Sequence, residues 1–341
     1  MATVRLDQLA VPVIGAPMAG GPSTPELVAA VNRAGGLGFL AAGYRSAGAM
    51  AEQVAAVREL TGGAFGVNLF VPSAPGDAGA VAAYRERLRP EGERWGVALP
   101  SAIPPDRDDW EAKIAALVAD PVPVVSYTFG LPGAAEAAAV RSAGSLQIGT
   151  VTTPEEARAA EAAGMDALCV QGPEAGGHRG THRVADVPGE LPLLQLLPVV
   201  RAVTTLPLIA TGGLGDGEAI AAALRAGAVA VQLGTALLRT DESGASEAHR
   251  EALVSSGETI VTRAFTGRPA RGLRNAFIDA HGPYAPPAYP EVHHLTAPLR
   301  TAAARRADTT AMHLWAGTAH RRARSGPAER VVAALWREAR G

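Results

Sequence analysis

Eight short apolar runs, most of them stopping at a glycine or a polar residue, recur along roughly the first 240 residues of this 341-residue chain. They occupy residues 11–18, 38–43, 65–71, 124–130, 145–151, 168–171, 207–213 and 228–233. Amphipathic segments separate most of them, at 24–34, 47–60, 134–143, 153–164, 191–203 and 216–226. Two of these open on a capping threonine followed by proline and glutamate, Thr24-Pro25-Glu26 and Thr153-Pro154-Glu155, which is how a helix satisfies its first free N–H groups. Strand and helix in alternation demand parallel pairing with helical crossovers, and eight such units fit a (β/α)8 TIM barrel better than an open, doubly wound sheet.

Two stretches break the rhythm. Residues 72–123 exceed an ordinary connection and read as a helical insertion, with helices expected at 78–88 and 110–118. From residue 241 the strands stop. A helix is expected at 246–254, then the arginine- and turn-rich FTGRPARGLRN and the segment GPYAPPAYP, which is too proline-dense for a helix or strand interior. Further helices are expected at 299–311 and 328–340. The resulting division is a barrel over 1–240, a helix- and turn-rich substrate or cap region over 241–310, and a C-terminal helical segment over 311–341 that packs back on the barrel.

The formal net charge of −2 gives no reason to expect a nucleic-acid or anionic-membrane partner. No apolar run approaches the ~20 residues of a membrane span and no leader pattern opens the chain, so a cytoplasmic protein is expected, as a monomer or homodimer. Cys169 is the lone cysteine and sits mid-run, where it reads as buried filler. His293-His294 lack nearby acidic or cysteine partners and no HExxH spacing occurs, so no metal is expected. Lys113 is the only lysine. A bound phosphate must therefore be neutralised by backbone N–H groups, helix N-termini or arginine.

In a TIM barrel ligands bind where the strands end, so the residues just past each apolar run should converge. These are Pro17-Met18, Asn68, Thr128, Gln171 with the loop glycines Gly172, Gly176 and Gly177, then Gly212-Gly213, and Gln232 to Thr235. Glycines after the last two strands suit a phosphate, without distinguishing a phosphosugar, a nucleotide or a flavin mononucleotide. His178, inside the glycine loop, is either a general base or a loop histidine held by a local hydrogen bond. His182 either lines the entrance or is solvated. Arg263, Arg268, Arg271 and Arg274 form either an anion patch or a set of structural ion pairs, while Tyr284 and Tyr289 are placed to roof the site.

The segments IGAPMAGGPSTPELVAAV, FGVNLF, VVSYTFGLP, QGPEAGGHRG and ATGGLGDGEAIAAALRAGAVAVQLGTALL, with ETIVTRAFTGRPARGLRN and LWAG in the tail, together resemble the nitronate monooxygenase family, formerly called 2-nitropropane dioxygenases. The resemblance implies an FMN enzyme without a metal, oxidising alkyl nitronates, or nitroalkanes, with O2 to carbonyl compounds and nitrite through a flavin semiquinone. It implies flavin contacts from Ala16, Pro17, Asn68, Gln171, Gly172, Gly176 and Gly177, with Met18 beneath the ring. Gly212, Gly213, Gln232, Leu233, Gly234 and Thr235 complete the implied cofactor set. His178, as the histidine of the AGGH motif, becomes the catalytic base or the group that orients the nitronate. Thr128, His182, Tyr284 and Tyr289 fall to the substrate pocket, Thr128 standing where some members carry a second histidine. Two other readings remain: an NAD(P)H-dependent enoyl-thioester or quinone reductase on the same barrel, and a non-redox phosphate-binding barrel. For an aldolase of the latter kind Lys113 lies in a predicted helix, away from any strand end.

Overall fold

The apolar runs become strands shorter than themselves, because the end of each leaves the ladder to form the barrel mouth. The structure, a computed structural model, describes residues 4–255 and 257–341. Its strands are β1 (Val13–Gly15), β2 (Gly38–Ala41), β3 (Phe65–Phe70), β4 (Val124–Thr128), β5 (Leu146–Val151), β6 (Ala167–Gln171), β7 (Gly177–His178), β8 (Leu208–Thr211) and β9 (Ala230–Leu233), followed in the tail by β10 (Thr259–Thr262) and β11 (Ala270–Leu273). Eight pair in parallel in the order β1-β9-β8-β6-β5-β4-β3-β2, and a parallel bridge between Ile14 and Leu37 closes the ring. The sheet is thus a TIM barrel, and the doubly wound alternative is set aside. Ile14, Phe39, Val124, Ile148, Cys169 and Ile209 form one buried cluster, contributed by strands around the ring. Strands buried on both faces need apolar residues at every position, which is why the runs are continuous rather than alternating.

The helices follow in order: α1 (Pro25–Arg33), α2 (Ala47–Leu60), α3 (Ala78–Trp95), α4 (Trp110–Ala119), α5 (Ala134–Ser142), α6 (Pro154–Ala162), α7 (Leu193–Arg201) and α8 (Gly217–Arg225), then α9 (Glu247–Ala252), α10 (Ala276–His281), α11 (Glu291–Arg305) and α12 (Ala328–Ala339). The expected caps form. Thr24 Oγ1 accepts from the Leu27 N–H at 3.0 Å and Thr153 Oγ1 from the Glu156 N–H at 3.2 Å.

The insertion divides between two cores. Trp110, Ile114 and Leu117 of α4 join the barrel core, whereas Tyr84, Leu88 and Trp95 of α3 join the core of the tail. The Tyr84 hydroxyl donates to the Ala264 carbonyl at 2.8 Å. Helix α3 runs past its expected end at residue 88, through Pro90 to Gly96 at φ 65, because Gly92 and Trp95 carry its buried face onward. Lys113 is buried and pairs with Asp108 at 2.7 Å, and Asp108 accepts from the Tyr44 N–H at 2.7 Å. The only lysine therefore holds a loop in place and contacts no ligand site.

The tail departs furthest from its sequence pattern. Part of the segment expected to be turn-rich is β11, which pairs antiparallel with β10 and, through Ala270↔His178 and Arg271↔Gly177, with β7. The glycine loop is thereby an edge of the tail's sheet. The helix expected at 299–311 instead begins at Glu291 and continues through Pro298 to Arg305. Helix α12 returns to the barrel, where Ala328, Val331, Val332 and Leu335 enter its core. No helix among the described residues is long and apolar enough to cross a membrane.

Candidate active site

A cavity of about 410 Å³ opens where the barrel strands end. Ala16, Pro17 and Met18 lie on its wall beyond β1, Asn68 and Thr128 on β3 and β4, and Gln171 at the end of β6. Gly176, Gly177 and His178 enter from the glycine loop, Gly212 and Gly213 beyond β8, and Gln232, Leu233, Gly234 and Thr235 at the end of β9.

Four expected residues are not on that wall. Gly172 turns its missing side chain toward α7, where a Cβ would lie 2.7 Å from Leu193 Cβ, and its carbonyl accepts from Arg179; it is a packing glycine. His182 is held by the barrel, Nε2 at 3.0 Å from the Thr150 carbonyl and its N–H on Glu156 at 2.8 Å. Tyr284 is 56% exposed with the Arg87 guanidinium 3.2 Å above its ring, so it roofs nothing. Tyr289 is buried behind the wall, its ring 5.4 Å from Phe129 and 6.1 Å from His178.

The four arginines do not make an anion patch. Arg263 donates to the carbonyls of Val184, Asp186 and Gly267, and Arg271 to those of Pro173 and Thr259. Arg268 donates to Thr181 O and Ser73 Oγ, and Arg274 pairs with Glu258 and Asp279. They staple loops to the tail's sheet.

One end of the cavity is backbone. Gly212 and Gly213 stand at φ +116 and +71, conformations that favour glycine. Among the described residues no main-chain acceptor outside the regular elements, and no side chain, takes the N–H of Gly213 or Gly234. Such bare N–H groups are what an anion requires where lysine is absent. Gly176 lies against the 316–317 backbone, where a Cβ would stand 2.5 Å from Gly317 N, and Gly317 N–H donates to Thr235 Oγ1 at 3.0 Å. Gly176→Ala is accordingly expected to lower stability by about 1–3 kcal/mol through overpacking, read as a fall in the urea midpoint at unchanged slope. An unchanged midpoint would show that this contact yields freely.

The other end is aromatic and imidazole-rich. The Gln171 side chain clamps the histidine loop, donating to His178 O at 3.0 Å and accepting from the Gly180 N–H at 2.8 Å. His178 Nε2 lies 2.9 Å from Thr266 Oγ1, and its ring stands 5.5 Å from Phe129 and 5.6 Å from Trp315. Burial, with Arg268 and Arg300 adding positive charge nearby, lowers its pKa to about 3. The imidazole is therefore neutral at pH 7. Asn68 Nδ2 is committed to Ser126 and Thr128.

Sequence reasoning missed a second set on the same wall: Tyr44, His249, His293, Arg300, His313 and Trp315. His293 stacks on Tyr44 at 4.1 Å and 5°, and burial drives the His293 and His313 pKa values well below the ordinary histidine value. Cys169 also reaches the wall, with burial pushing its thiol up to about 12, so no thiolate is available there. Among the described residues no group of three His, Cys, Asp or Glu side chains is placed to hold a metal ion.

With this geometry in hand, the chain matches the family model for nitronate monooxygenase over residues 4–338. A probable nitronate monooxygenase of Staphylococcus aureus strain MSSA476 is 38% identical over 329 residues, 94% of this chain and 92% of that protein. Nitroalkane oxidase from Streptomyces ansochromogenes superimposes with a TM-score of 0.94 at 51% identity, covering 98% of this chain and 97% of that one. FabK from Thermotoga maritima superimposes with a TM-score of 0.70 at 26% identity, covering 99% and 97%.

Proposed function

The chain belongs to the nitronate monooxygenase family, an oxidoreductase family, and from that we propose that it oxidises alkyl nitronates, and nitroalkanes, with O2 to a carbonyl compound and nitrite, using FMN and with His178 as base. The observation that carries the reading is His178 itself, a buried neutral imidazole on the cavity wall, anchored at one nitrogen by Thr266. Among the described residues its Nδ1 has no hydrogen-bond partner and is free to take a proton. A nitroalkane must lose a carbon proton before its electrons can leave, and a fixed, unprotonated base serves that step.

The wall suits FMN. The N–H groups of Gly213 and Gly234, with the short helical turn Thr235–Leu237, would hold the phosphate, and Met18, Asn68 and Gly176 would border the ring. When bound, the flavin supplies the transfer of electrons from the nitronate to dioxygen. The protein contributes orientation, exclusion of water by Phe70, Phe129 and Trp315, and removal of the proton.

The test is anaerobic mixing of the purified holoprotein with an alkyl nitronate, followed through the flavin absorption bands. Reduction by the nitronate is expected, with slow or no bleaching by NADH or NADPH alone. Rapid bleaching by the nicotinamide and none by the nitronate would replace this reading with a reductase.

A further inference from the structure

We propose that Arg300 forms a subsite for a planar oxyanion at the histidine end of the cavity and takes the nitro or nitronate oxygens of the substrate. The inference deepens the proposed function and rests on it for the identity of the anion. Arg300 is the one charged residue on the described cavity wall, which contains neither a carboxylate nor a lysine. It is only 9% exposed. Its Nε donates to Thr296 Oγ1 at 3.1 Å and its Nη2 to His293 O at 2.8 Å, with His293 Nδ1 at 3.2 Å. Those bonds fix one edge of the guanidinium and leave Nη1 without a protein acceptor among the described residues. A buried guanidinium with no counter-ion is costly to keep, and an anion entering the cavity relieves that cost. Nη1 keeps two N–H groups in the guanidinium plane, held in a fixed direction that a flexible lysine ammonium would not keep, and they can donate to the oxygens of one planar anion.

The neighbours place this group beside the base rather than at the glycine end. His293 stacks on Tyr44, Tyr44 meets Phe70 edge-on at 5.4 Å, Phe70 contacts Phe129 at 4.5 Å, and Phe129 meets His178. Tyr44 is on the same wall, its hydroxyl buried beside Tyr289. Arg179 and Arg268, the other buried guanidinium groups near His178, keep unpartnered nitrogens of their own but lie off the wall, Arg268 donating to Thr181 and Ser73 over the face of Phe129 at 3.9 Å. Among the described residues Arg300 is thus the guanidinium that is on the wall with a donor to spare.

The role makes the two substrate forms respond differently. A nitronate arrives charged, so Arg300 holds it in the ground state and sets KM. In a neutral nitroalkane the C–H electron pair moves onto the nitro oxygens only as His178 takes the proton, so the same contact acts on kcat.

The experiment compares holoenzyme with Arg300→Gln and Arg300→Lys, using nitrate as a planar monoanion probe. Wild type is expected to show nitrate inhibition competitive with the nitronate. Arg300→Gln should raise the nitronate KM about tenfold to a hundredfold, lower kcat on nitroalkane with little change in its KM, abolish nitrate inhibition, and retain flavin. Arg300→Lys should keep part of the nitrate effect. Unchanged nitrate inhibition in Arg300→Gln, or loss of its flavin, would overturn the proposal, the latter by assigning Arg300 to the cofactor phosphate. Should Arg300→Gln fail to fold, nitrate inhibition of wild type that is not competitive with nitronate overturns it equally. Should wild type turn over no nitronate, the functional reading fails, while nitrate titration of wild type against Arg300→Lys by calorimetry still decides the subsite: equal affinity, or no binding to wild type, sinks it.

Discussion

Replacing His178 by alanine is expected to lower kcat/KM on a neutral nitroalkane by about 10²- to 10⁴-fold, while the preformed nitronate, which has already lost that proton, loses less than about tenfold. The difference follows from the state of the imidazole. With its pKa lowered to about 3 by burial, His178 is unprotonated across the neutral range and cannot hold an anion by charge, which favours the proposed removal of a proton. An imidazole so depressed is a weak base in the empty cavity. The nitronate formed beside it is an anion, and an adjacent anion favours the imidazolium. The step thus stabilises its own product pair. Two measurements check this: oxygen uptake with both substrate forms, and the pH profile of kcat/KM on the nitroalkane, which should carry no limb from His178 between about pH 5 and 8. Equal loss on both substrate forms contradicts the base assignment.

The barrel was legible because its signal is local. Strands buried on both faces write continuous apolar runs, threonine caps announce helix starts, and glycines mark where several of the strands give way to the mouth. The phosphate end of the cavity is read the same way, since Gly212, Gly213 and Gly234 lie within two residues of the strands that place them. The imidazole end is not. His293, Arg300, His313 and Trp315 reach the wall through the packing of α11 and the loop after it against the tail's core, and none has a local pattern aimed at a barrel. Helix α11 starts ahead of the helix expected at 299–311, with Pro298 inside it, and so carries His293, weighed from the sequence only as a metal ligand, onto the wall. Pairing between β7 and β11 joins two residues to a partner some 90 positions away, too short to show a period of two. Tyr284 and Tyr289 make the point most simply. They share one proline-rich stretch, yet the turn Gly282–Tyr284 leaves the first in solvent under Arg87, while the second is buried against Phe129. Proline density predicts a rigid turn and says nothing about which side of it faces the core.

The same imidazole cluster should make the protein acid-labile well above the pH at which most carboxylates protonate. His178, His293 and His313 all have pKa values lowered by burial, and His249 and His281 shift in the same direction. In the unfolded chain each takes up a proton near its ordinary value of ~6.5. Below that pH the unfolded state binds more protons than the native one, so stability present at neutral pH is lost as the pH falls from about 6.5 toward 3. Three such groups, at about 1.4 kcal/mol per pH unit each, remove roughly 4 kcal/mol at one unit below the reference. Asp108 works against them: burial raises its carboxyl to about 6 despite Lys113, so the folded state gains a proton there and recovers about 1 kcal/mol. A net loss of about 3 kcal/mol is a large part of the 5–15 kcal/mol that holds a typical domain together. Urea midpoints measured between about pH 7.5 and 5.5 should fall accordingly. His313→Phe should flatten the dependence by about one proton, because His313 makes ring contacts with Phe265 and Trp315 that a phenyl ring can keep, and has no hydrogen-bond partner among the described residues. A midpoint constant over that range, or a slope that His313→Phe leaves untouched, would mean that the cavity imidazoles take up protons in the folded protein, and the neutral base inferred for His178 would fall with them.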